Sequence, residues 1–172
     1  MSRTKHPATP VNRRRSAPAT DTPTARGRLS RAVRALGQIS LGAAMVGAGV
    51  SHLTVAREEF QAQVPSWFPG DTDTVVLVSG VAEIALGSLM LTVWKQPHRG
   101  RVGTLLALFY AAIFPGNVAQ YLERKDGFGL DTDAKRLARL PFQGVLIAGA
   151  LAATRHAPRA LTLPHPDPSP KP

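Results

Sequence analysis

TLLALFYAAIF, residues 104–114, runs eleven residues without a charge, a side-chain amide or a glycine. A core helix of a soluble protein shows a polar face every third or fourth residue, and this segment is apolar all round. GVLIAGALAA (144–153) reads the same way. Working outward, Arg101 and Glu123 enclose 21 residues (102–122) free of Asp, Glu, Lys and Arg. An α-helix rises 1.5 Å per residue, so about 20 residues cross a hydrocarbon core of about 30 Å. Arg34 and Arg57 enclose 22 such residues (35–56), and Asp73 and Lys95 enclose 21 (74–94), interrupted only by Glu83.

The fourth window is shorter. Arg139 and Arg155 enclose 15 residues (140–154), and extension back to Arg136 gives 18 (137–154) at the cost of drawing Arg139 into the membrane. Either that helix is short, or Arg139 lies in the outer part of the bilayer with a partner or snorkels to its edge. The pattern predicts an all-α integral membrane four-helix bundle with spans near 35–55, 74–94, 102–122 and 137–154.

The totals hide this segregation. Mean hydropathy is −0.05 and 44% of residues are hydrophobic, as in many soluble proteins. The extremes of the chain hold few bulky apolar side chains, so the centre is far more apolar than the average. Residues 1–34 carry nine of the 21 Lys and Arg residues in a Pro- and Thr-rich context such as TPVNRRRSAPATDTPT. Such a segment cannot bury a core and is expected to be a disordered basic arm. The tail 156–172, which contains PHPDPSPKP, is expected to be disordered too, since closely spaced prolines forbid a helix. A basic arm can grip nucleic acid, but directly before an apolar segment it is better explained by cytosolic retention and attraction to anionic lipid. A cleaved signal peptide fits poorly, because the arm is long and three further spans follow.

Orientation follows from the basic residues. One side of the membrane takes fifteen of them, from the arm, the 95–101 loop and the tail, and the other takes six. Both termini are therefore expected in the cytoplasm. The chain has no cysteine, which excludes disulfides, thiol catalysis and Cys-ligated metal within it. Neither a phosphate-binding glycine loop nor a recognised catalytic motif stands out.

Polar residues inside spans are costly, so each needs an account. His52, near the outer end of the first span, continues a row of small residues at i, i+4 spacing: Ser40, Ala44, Ala48. It is either a packed histidine with one hydrogen bond or a ligand or proton handler. Glu83 lies near mid-bilayer with Gly80 and Gly87 on its face, and must be protonated or paired. Pro115 and Gly116 should kink or end the third helix, with Asn117 placed to satisfy freed backbone groups. Arg139 and Gln143 are i, i+4 on the fourth helix, with Pro141 expected near that helix's start. Glu83 is a candidate partner for Arg139. The loop FQAQVPSWFPG (60–70) is expected to fold down on the outer mouth of the bundle, capping it with Pro65, Trp67 and Phe68. His52, Asn117, Arg139 and Gln143 then share the outer half, as a ligand pocket or as a polar plug that ties helices together.

GAGVSHL (47–53), VPSWFPG (64–70), SGVAEIALG (79–87), FPGN (114–117) and RLPFQ (139–143), in that order and spacing, resemble the DoxX-like family of small four-helix membrane proteins. The likeness runs from about Leu36 to Arg155. The family is named from a subunit of a quinone-reducing sulfur oxidation system, and some members are linked to oxidative-stress complexes. The resemblance implies family-like positions at His52, Glu83, Asn117, Arg139 and Gln143, a redox enzyme subunit as partner, and a quinone or other lipophilic molecule as ligand. Without cysteine, the chain offers no centre of its own for sulfur chemistry. Two other functions remain open: a structural or assembly protein whose polar groups are interhelical ties, and a small oligomeric transporter.

Overall fold

In the computed structural model the described residues are 24–155, all helical apart from turns and loops. The helices are α1 (Ala25–Leu53), α2 (Arg57–Gln61), α3 (Thr72–Thr92), α4 (His98–Leu122) and α5 (Asp133–Thr154). Four of them are long and apolar enough to cross a membrane, including the one in doubt from its charges. The expectations for 1–23 and 156–172 lie outside the described residues.

Helix α1 starts about ten residues before the charge-free window. The Thr24 side chain accepts from the Gly27 amide at 3.2 Å, and Arg31 Nε donates to the Gly27 carbonyl at 3.2 Å. Once that cap is set, Arg, Ala and Leu are good helix formers and propagate from the membrane segment outward. Residues 25–34, expected in the disordered arm, are therefore helical.

The helices pack as a ring. Helix α1 packs most extensively on α3 and α4 on α5, while α1–α5 and α3–α4 contacts close the circle. The α1 residues that face inward are Gln38, Gly42, Met45, Gly49 and His52, and those of α3 are Val76, Gly80, Glu83, Gly87 and Met90. Both sets step by four and three, the spacing that keeps one stripe on a left-handed crossing. The row Ser40, Ala44, Ala48 is not that stripe: Ser40 and Ala44 are exposed. A strict i+4 row drifts around a helix of 3.6 residues per turn, whereas the 4–3 alternation stays on one face.

Glycines set the distance between α1 and α3. A Cβ on Gly49 would lie 2.5 Å from the Gly80 carbonyl oxygen, and one on Gly87 would lie 2.7 Å from that of Gly42. The two backbones therefore touch, as small residues permit between membrane helices. Gln38, fully buried, donates from Nε2 to the carbonyls of Met90 (2.7 Å) and Val93 (3.0 Å) at the end of α3.

The α4–α5 pair is fastened at one end by Gln96. Its Oε1 accepts from the Gly100 amide (3.2 Å) in the first turn of α4, and its Nε2 donates to the Thr154 carbonyl (2.7 Å) at the end of α5. One side chain thus serves unsatisfied groups at two helix ends. Pro115 does not end α4, which continues to Leu122. Pro141 is interior to α5, since that helix begins at Asp133, where the Thr132 side chain accepts from the Lys135 amide.

The surface is inverted relative to a water-soluble bundle. Val78, Leu108 and Val145 are each about 60% exposed, while Gln38, Glu83, Gln120 and Gln143 are buried. Apolar side chains outside and amides inside are what a hydrocarbon solvent selects. Charge is segregated lengthwise. One end holds Arg26, Arg28, Arg31, Arg34, Lys95, Arg99, Arg101 and Arg155, with no acidic residue among the described residues there. Every described Asp and Glu except Glu83 lies at the opposite, looped end.

Candidate functional site

The looped end is built from two connections laced together. Helix α2 is pinned to α3 where Arg57 pairs with Asp73, with Gln61 donating to the same carboxylate at 3.2 Å. The segment after α2 is held by the end of α4: Glu123 accepts from the Ser66 amide (3.2 Å) and hydroxyl (3.1 Å), and Lys125 donates to the Val64 carbonyl (2.8 Å). Lys125 Nζ also lies 2.7 Å from Glu123, and this bond, with those from Ser66, holds the Glu123 carboxyl below its usual range. Glu59 accepts from the Phe128 amide at 2.6 Å, which brings the α4–α5 loop over α2. Arg136 closes that loop with Asp126, Asp133 (2.9 Å) and the Lys125 carbonyl (3.2 Å).

Beneath this lacing a chain of side chains leads inward. Arg139 stands over the Phe128 ring, its guanidinium carbon 5.4 Å from the centroid. Phe128 meets Phe60 edge to face, centroids 4.5 Å apart. Phe60 stacks on the His52 imidazole, centroids 3.3 Å apart and planes 18° from parallel. His52 Nδ1 lies 2.9 Å from the Ala48 carbonyl and 3.2 Å from Glu83 Oε2. A carbonyl can only accept, so Nδ1 carries the hydrogen and is aimed at Ala48. Glu83 Oε2 is thereby close to the imidazole but without an aligned donor, and Oε1 has only the Ser79 hydroxyl at 3.5 Å.

A second polar group joins α4 to α5. Asn117 Nδ2 donates to Gln143 Oε1 at 3.1 Å, and Gln143 Nε2 donates to the Tyr110 carbonyl at 2.5 Å, all buried. One turn from Asn117, the amide of Gln120 is 1% exposed and has no partner for either atom among the described residues.

The five residues singled out in the sequence fall into two groups. His52 and Glu83 meet, as do Asn117 and Gln143. Arg139 and Glu83 do not: Glu83 faces His52, and Arg139 has an aromatic face in place of a carboxylate among the described residues. Of the expected cap residues only Pro65 is buried; Trp67 and Phe68 are exposed, and the inward contact is made by Phe60 and Val64. Trp67 instead lines an outward groove of about 490 Å³ with Phe114 and Leu122. Phe60, Phe128, Gln38 and Gln120 were not legible as site residues. Phe60 lies in the short helix α2 and Phe128 in a loop, both placed by bonds distant in sequence, and the amides carry no charge to interrupt an apolar window.

The family model described as Domain of unknown function (DUF8561) matches residues 41–154. The chain belongs to this family. No curated protein and no solved structure matches it. The DUF8561 match opens inside α1 and closes at the last residue of α5, so all five polar positions fall within it, while the helical start of α1 (25–40) precedes it. The matched region thus spans the glycine contact of α1 with α3 and both polar groups of this chain.

Proposed function

We propose that this DUF8561 protein is a DoxX-like multi-pass protein of the cell membrane, with both termini cytoplasmic, that binds the polar head of a quinone or other lipophilic molecule beneath its looped end. The observation that carries the reading is the unaligned Glu83 Oε2 beside His52, roofed by Phe60 and Phe128. A buried carboxyl oxygen 3.2 Å from an imidazole can take a donor or pass a proton. The neighbouring aromatic faces suit a flat ring, and Gln120 supplies further unused hydrogen-bonding capacity. The lengthwise segregation of charge supports the orientation, since retained loops carry an excess of Lys and Arg. A redox enzyme subunit would be the natural partner for a chain with no redox centre among its own side chains.

The test is a quinone titration of the reconstituted protein, comparing wild type with Glu83→Gln and Phe60→Ala. Weaker binding in both variants supports the site. Equal binding in all three, or none in wild type, overturns it. A second reading, a structural or assembly protein, is favoured by the Asn117–Gln143–Tyr110 bonds, which close on themselves across α4 and α5. A stoichiometric partner retained in detergent, with melting unmoved by quinone, would select it.

A further inference from the structure

At the basic end a groove of about 740 Å³ opens between the first turns of α4 and the last turn of α5. Its walls are layered. Arg101 and Arg155 stand at the rim, both exposed. Leu105 and Leu151 lie four residues from them along their helices, one turn deeper toward the membrane centre. Leu105 is half exposed on the lateral surface, so the groove opens sideways as well as toward water. Gln96, bonded to both helix ends, holds the back of the groove in place.

Neither rim arginine has a carboxylate partner among the described residues, and no described acidic residue shares that end of the bundle. Two guanidiniums above two leucines, open to the side, match one occupant: an anionic phospholipid. We infer that this groove binds such a lipid, its phosphate between Arg101 and Arg155 and an acyl chain along Leu105 and Leu151. Guanidinium groups suit phosphate because their planar donors engage two oxygens at once. Basic pockets between membrane helices take anionic head groups by this combination of charge and apolar wall. The site lies at the opposite end from the His52–Glu83 group and requires only that the four helices sit in a bilayer, so it stands or falls independently of quinone binding.

The full chain, purified in detergent, is titrated with phosphatidylglycerol or phosphatidylcholine and bound lipid is counted by native mass spectrometry. The expected result is preferential retention of phosphatidylglycerol. Its affinity should fall roughly tenfold to thirtyfold in Arg101→Gln/Arg155→Gln. Arg26→Gln/Arg31→Gln, which removes the same charge from the exposed start of α1, should bind as wild type. Leu105→Asn should weaken phosphatidylglycerol with charge unchanged. Equal loss in the Arg26/Arg31 variant would reduce the effect to diffuse attraction and overturn the site, as would undiminished binding in the Arg101/Arg155 variant. Displacement of the lipid by millimolar inorganic phosphate would assign the rim to a free anion and overturn the lipid. Should the double variant fail to fold in phosphatidylcholine, Arg155→Gln alone, at the exposed end of α5, reads the same outcomes.

Discussion

His52 and Phe60 lie face to face, their ring centroids 3.3 Å apart and their planes 18° from parallel. The first ends a membrane helix and the second belongs to the short helix that follows. Their contact folds the α1–α3 connection back over the bundle and shields the imidazole from water on one face. Through it the mid-helix carboxyl of Glu83 is joined to a surface loop, with Phe128 and Arg139 forming the next layers.

The glycine contact between α1 and α3 leaves no room for a side chain. In Gly49→Val the new Cβ would stand 2.5 Å from the Gly80 carbonyl oxygen and 2.8 Å from Ile84. Overpacking of this kind costs about 1–3 kcal/mol, so thermal unfolding in detergent should shift clearly downward. Gly47→Ala is the matched control, since nothing lies within 4 Å of its added methyl group. It should be neutral or stabilising by roughly 0.5–1 kcal/mol.

Asn117 and Gln143 should behave as a coupled pair. A double-mutant cycle with Asn117→Ala and Gln143→Ala should return a coupling of about 0.5–2 kcal/mol, the range for hydrogen bonds between membrane helices. Gln143→Ala should be the more damaging single change, because Gln143 bonds both Asn117 and the Tyr110 carbonyl. Strict additivity would show that the two amides do not interact.

Arg136 and Arg139, three residues apart, should differ in kind. Arg136 is 6% exposed and bonded to two carboxylates and a carbonyl. Its replacement by Gln should loosen the 123–133 loop and cost about 1.5–3 kcal/mol, as for a hydrogen bond to a charged group. Arg139→Gln should lose only a cation–π contact, about 0.5–2 kcal/mol, and should add nothing further in a Phe128→Leu background. Unfolding of the four variants in detergent distinguishes the two roles.

The lacing of the 64–66 segment to Glu123 should weaken in acid. Bonds from Lys125 and Ser66 depress the folded carboxyl below the ordinary value of 4.5. A depressed carboxyl contributes its full stabilisation above that ordinary value and loses it as pH falls through the lower, folded value. Trp67, one residue from Ser66, is the reporter. In a Trp94→Phe background its emission should change below pH 4.5 in wild type, while Glu123→Gln should show the acid spectrum throughout.

Much of the bundle was legible because charge-free length decides it. Four long apolar helices stand where the four windows are, α3 over 72–92 against an expected 74–94 and α4 over 98–122 against 102–122, and in α5 Arg139 meets an aromatic face. What could not be read was order created by tertiary contact. Residues 25–34 were grouped with the Pro- and Thr-rich arm before them, yet their Arg, Ala and Leu continue a helix already nucleated in the apolar segment. The packing stripe of α1 is not marked in the sequence, because small residues occur on several faces and only the partner helix decides which face is used. Glu83 was matched to Arg139 by charge, but the imidazole of His52 is nearer, on the helix that Gly80 and Gly87 bring into contact with α3.

The glycine-seamed pair α1 and α3 also divides the costly polar groups between the two helical hairpins of the chain. Glu83, the one acidic residue of α3 deep in the apolar span, meets its imidazole neighbour on α1, the helix made before it. The buried amides of Asn117 and Gln143 likewise meet within the second helical hairpin. These costly polar side chains therefore have their neighbours within their own half of the chain, and the Phe60–Phe128 contact is among those that join the two halves.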